Sequence, residues 1–164
     1  MSEAVEIELK EWQKLMDGAY EKWQDQKWTY SQFLANLDAK ERQAVLLGNM
    51  NYQIGNGGVQ QWVDNGYALK AVDLFDVLKL MGSPRAMEWL AKLEPFVDQY
   101  VDLSAKDRGF GQDYWLDKGD DEGDEYQRED ERPHWGPAEA LTDFYYEEPF
   151  NAELLREIDE FLSK

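Results

Sequence analysis

Cysteine is absent from the 164 residues. That excludes disulfides, thiol nucleophiles and cysteine-ligated zinc, and it fits a reducing compartment. Histidine occurs once, at His134. One imidazole without a thiol cannot build a histidine-rich metal site or a nucleophile–base triad. No apolar run approaches the ~20 residues needed to span a bilayer. The stretch Ser2 to Glu11 is acidic and amphipathic, so it does not read as a signal peptide. Neither a P-loop nor a dinucleotide-binding glycine pattern occurs. These absences predict a cytoplasmic chain with no catalytic residues, no bound metal and no cofactor.

Basic residues are scarce as well. Seventeen Lys and Arg stand against 35 Asp and Glu, for a net charge of −18. Residues 101–164 hold 20 acids and seven bases, a net −13, and the first 100 residues only −5. So lopsided a charge speaks to partners and not to fold. It repels nucleic acid and anionic membrane. It attracts basic surfaces, which belong mostly to proteins that bind nucleic acid. Aromatics, by contrast, are plentiful: seven Trp, nine Tyr and seven Phe. Disordered acidic chains lack such residues, so most of this chain is expected to fold.

The apolar spacing is helical. Val5, Leu9, Trp12, Leu15, Ala19 and Trp23 step by three and four along a first helix. A short segment spans Tyr30 to Leu37. Asp38 with Glu41 forms a capping box for a helix that should stop at Gly55-Asn56-Gly57-Gly58. A short helix from Val59 ends at Asn65-Gly66, and an apolar one from Leu69 closes at Gly82. Ser83 reads as an N-cap with Pro84 at the first helical position. Pro95 should kink or restart that helix. Periodicity fails from Leu103 to Gly136. Pro137 opens a helix through Phe144, and Asn151 caps a last one. No strand, repeat or linker is evident. The expectation is an all-α, single multi-helix domain over 1–164, with a long acidic, mobile loop at 103–136.

Within that loop, Asp117, Asp120, Asp121, Glu122, Asp124 and Glu125 suggest either a solvated surface or a site for a partner. A calcium loop fails on register: with Gly123 at its sixth position, Lys118 falls where the first ligand belongs. The helical acids are more regular. Glu139, Asp143 and Glu147 repeat every four residues, and Glu153, Glu157 and Glu160 follow at four and three. Such side chains share a helix face, their Cβ atoms ~5–6 Å apart. A solvated acidic face is the plain reading. The sharper one is a row of carboxylates standing in for duplex phosphates, which carry a charge every ~3.4 Å of rise per strand. Tryptophans as base-stacking platforms would need a basic groove, so core packing is the better reading for them.

The stretch from Gly55 to Gly66 resembles the signature of an all-helical bacterial family, best known for an acidic mimic of double-stranded DNA. Asn56, Gly57, Gly58, Gln61, Trp62 and Asn65 match that pattern, with Val59 where Phe is usual. Leu141-Thr142-Asp143-Phe144-Tyr145 is similar to a later element of the family. The resemblance implies a helical domain, often a homodimer. For the mimic, it implies an acidic surface that occupies the DNA site of a transcription factor. On this reading the chain is a non-enzymatic inhibitor of a basic DNA-binding protein. It makes no direct contact with nucleic acid or membrane. The alternatives are an immunity-type module that neutralises a basic toxin and, with less support, a metal-dependent enzyme.

Overall fold

Asp38 does what its spacing from Glu41 predicts. Its carboxylate accepts the Glu41 N–H at 2.8 Å, and the Glu41 carboxylate accepts the Asp38 N–H at 3.2 Å. That box opens the central helix of a computed structural model that describes residues 9–101, 103 and 135–164. Among the described residues there are eight α-helices, one short 3-10 turn and no strand. The helices are α1 (Lys10–Trp23), α2 (Tyr30–Ala35), α3 (Ala39–Gly57), α4 (Val59–Asp64), α5 (Ala71–Met81), α6 (Pro84–Tyr100), α7 (Trp135–Tyr146) and α8 (Phe150–Leu162). The 3-10 turn, Tyr67–Lys70, joins α4 to α5.

Helix α3 is the axis of the fold. Val45, Leu46, Leu47, Met50 and Ile54 are all buried, and they do not fall on a single stripe. A helix apolar on several sides must be surrounded. Helices α1, α2, α4, α5 and α8 all pack on it. Helix α1 is fixed by Trp12, whose buried indole Nε1–H donates to the Ala44 carbonyl at 2.9 Å. The one buried side-chain amide on that flank, Asn49, accepts from the Tyr20 hydroxyl and donates to the Tyr30 hydroxyl, so the core pays no penalty for an unmade bond there. Every helix contributes to one continuous apolar core, with Trp12, Trp62 and Trp89 inside it.

Several expectations need correction. Helix α3 does stop within the expected stretch, with Gly58 as its cap, but only after running through Gly55 to Gly57. Leu69 lies in the 3-10 turn, and α5 starts at Ala71. Helix α6 continues through Pro95 without a restart. Helix α7 begins at Trp135, so Trp135 and Gly136, expected in the loop, are helical. Helix α8 begins at Phe150 after Pro149, with Asn151 already inside it. Val5 and the segment 104–134, with Asp117, Asp120, Asp121, Glu122, Asp124, Glu125 and His134, lie outside the described residues. No helix among the described residues is long and apolar enough to cross a membrane.

Candidate functional site

The C-terminal acids divide according to what they touch. Helices α1, α4 and α6 start without a capping side chain of their own. Ser83 stands at the N-cap of α6, but its hydroxyl donates to Glu157 and does not accept from the helix. The Glu157 carboxylate accepts the backbone N–H groups of Arg85 and Ala86 at 3.0 and 3.2 Å. Asp159 accepts the Trp12 N–H of α1 at 3.0 Å. Thr142 on α7 accepts the Val59 N–H of α4 at 2.9 Å, and its own hydroxyl donates to the Ala138 carbonyl at 2.8 Å. Three helix N-termini are thus satisfied across the fold by α7 and α8. Two of the acceptors are anions, the sign a helix N-terminus favours.

Glu153, one turn before Glu157, binds the Arg85 guanidinium at 2.5 Å, and Glu88 takes another arm of the same group. Those two carboxylates, Glu153 first, hold the guanidinium above its ordinary pKa. Glu153 and Glu157 share a face, as their spacing predicts, and that face looks inward at the start of α6. Their mutual repulsion is relieved by Arg85 from another helix, a cation that no i+4 rule would find.

The remaining acids look outward. Glu139 and Asp143 are exposed on α7, four residues and ~6 Å of rise apart. Glu147 lies just beyond the helix end and is exposed, as are Glu148 and, on α8, Glu160. None of these five forms an ion pair among the described residues. The structure therefore gives one uncompensated acidic strip along α7 and the turn after it. Glu160 stands on the next helix.

The glycine motif does different work. Gly58 ends α3 and opens α4 at φ 85°, ψ 178°, a conformation essentially restricted to glycine. Gly57 leaves room for Gln61: a Cβ there would lie 2.8 Å from the Gln61 amide carbon. Gln61 Nε2 then donates to Gln53 Oε1 at 2.9 Å, and Asn65 Nδ2 donates to the same oxygen at 2.7 Å. Trp62 is buried beneath. Gln53 is the member of this network that sequence reasoning missed; it lies outside the motif, about one turn upstream of Asn56 on α3. Asp159 and Thr142 were missed as well, since nothing local marks a cap for a distant helix.

Comparison with known proteins gives one result. A family model described as DMP19-like protein matches residues 35–164. That range runs from the end of α2 to the end of the chain and takes in both the glycine motif and α7. The searches of curated proteins and of solved structures returned no match.

Proposed function

The chain belongs to the DMP19-like family, and from that premise we propose that it is a non-enzymatic DNA mimic. It inhibits a basic DNA-binding protein, such as a transcription factor, nucleoid protein or defence nuclease, by occupying its DNA groove. The observation that carries this reading is the uncompensated strip of Glu139, Asp143 and Glu147. A solvated helix face ordinarily mixes signs; this one presents carboxylates alone. Glu160 extends it on α8, and the acids from Asp117 to Glu125 add charge. Glu153 and Glu157 take part by fixing α8 and the start of α6, with their own charge partly met by Arg85 and backbone N–H groups.

Long-range attraction steers such a pair together and fades as salt shortens the Debye length, ~10 Å at 0.1 M. The test is capture of lysate proteins on the immobilised chain, with elution by salt and by duplex DNA. Enrichment of DNA-binding proteins that duplex DNA displaces supports the reading. A single captured protein that DNA does not displace points instead to an immunity-type role. Light scattering on the purified chain tests the homodimer that belongs to the same reading.

A further inference from the structure

A cavity of about 430 Å³ opens at the end of α3, lined by Tyr52, Gln53, Asn56, Gln61, Asn65 and Tyr67. No charged side chain lines it, which is unusual on a chain of net charge −18. Two of its walls are amides that are more than nine-tenths buried: Gln53 is 5% exposed and Asn65 8%. Their orientation is set by chemistry. Gln53 Oε1 receives two donors, Gln61 Nε2 and Asn65 Nδ2, so both of its lone pairs are used. That leaves Gln53 Nε2 as a donor and Asn65 Oδ1 as an acceptor, neither with a hydrogen bond among the described residues. Neither atom is sealed from solvent, and both residues line the opening.

Buried amides are costly unless paired, and an apolar trio would fill this place more cheaply if packing were the whole purpose. A free donor and a free acceptor on two residues that line one cavity complement one group above others, a primary carboxamide. Its carbonyl accepts from Gln53 Nε2 while its NH₂ donates to Asn65 Oδ1. A carboxylate would meet the Asn65 oxygen with like polarity, and an ammonium would meet the Gln53 donor. The rim favours a macromolecular source. Tyr52 is 65% exposed beside the opening, and an exposed tyrosine next to a small polar pocket is typical of protein interfaces.

We propose that this cavity binds the side-chain carboxamide of an Asn or Gln on an exposed segment of a partner protein. The site is neutral, so it adds selectivity that salt does not screen, and it stands whether or not the acidic strip mimics DNA.

The experiment is a titration of the ¹⁵N-labelled full chain with N-acetylglutamine N-methylamide, followed by NMR. The expected result is saturable shifts of the Gln53, Gln61 and Asn65 side-chain NH₂ signals, unchanged in 0.5 M NaCl. N-acetylmethionine N-methylamide has a similar shape and the same backbone amides but no carboxamide; it should shift these signals at least tenfold less. Gln61→Met frees one lone pair on Gln53 and should weaken binding about tenfold. Tyr52→Ala, at an exposed position, should weaken it without changing the melting temperature. Shifts that do not saturate, that the methionine compound reproduces, or that survive both substitutions would overturn the proposal.

Discussion

Single residues carry sharply different weights. Gly58 sits where a side chain strains the backbone, and a Cβ there would also crowd the Gln60 amide. Gly58→Ala should lower unfolding free energy by about 1–3 kcal/mol, read as a shift of the denaturant midpoint at unchanged slope. Gly136, on α7, has nothing within 4 Å of an added Cβ, so Gly136→Ala should be neutral or slightly stabilising. Asp38 differs again. The Glu41 backbone N–H, with further help from the Glu41 side chain and from Lys22, holds its carboxyl below the ordinary 3.8. A lowered carboxyl pKa stabilises the fold in full above that ordinary value. The contribution is lost as pH falls through the lowered one. Asp38→Asn keeps an acceptor for the cap but cannot titrate. Acid unfolding of that variant should therefore show a shallower loss of stability below about pH 4. At this scale the sequence was informative wherever cause and effect lie within a few residues. The Asp38–Glu41 box and the turn at Gly58 are of that kind. The amide triad was not legible, because Gln53 is eight residues from Gln61 and looks like any other polar residue on α3.

Helices depend on one another here through their ends. Glu157→Ala would leave the Arg85 and Ala86 N–H groups without an acceptor, and Asp159→Ala would do the same to Trp12. Each should cost about 1–2 kcal/mol in thermal or denaturant unfolding. Glu139→Ala and Asp143→Ala, at exposed positions, should stay within about 0.5 kcal/mol of the parent. Equal effects at all four positions would sink this division of labour. Helix existence was legible from the three-and-four spacing of apolar residues, and so was the register of α1, whose Trp12 and Ala19 are buried. Pro95 misled because tertiary packing keeps α6 continuous through it. The caps from α7 and α8 could not be read at all: Asp159 serves a residue 147 positions away, and Thr142 one 83 positions away. Periodicity reports which face of a helix is buried and says nothing of which distant side chain meets its first turn.

For the molecule as a whole, the bulk charge of −18 conceals two populations of acid. Among the described C-terminal residues, one holds helix starts together, and the other is exposed and forms no ion pair. The triple substitution Glu139→Gln, Asp143→Asn, Glu147→Gln neutralises three members of the second and none of the first. It should slow association with the captured partner about tenfold or more at low salt and leave dissociation less affected. The melting temperature should not fall, and relief of self-repulsion should raise it slightly. An unchanged association rate would place the binding surface elsewhere. The sequence alone predicted an acidic partner-facing surface but could not sort the acids, since that depends on which carboxylates have backbone N–H groups or Arg85 in front of them.

The capping of α1 by Asp159 also bears on how the chain is made. Ribosomes add about 5–20 residues per second, so the α1 N-terminus is synthesised on the order of ten seconds before its acceptor exists. Through that interval the α1 start lacks its acceptor, and the core lacks the apolar face of α8. Helix α8, translated after the helices it caps, closes the structure. A nascent chain stalled before residue 150 should be held by chaperones and cleaved readily by protease, and release of α8 should make it resistant in a single step.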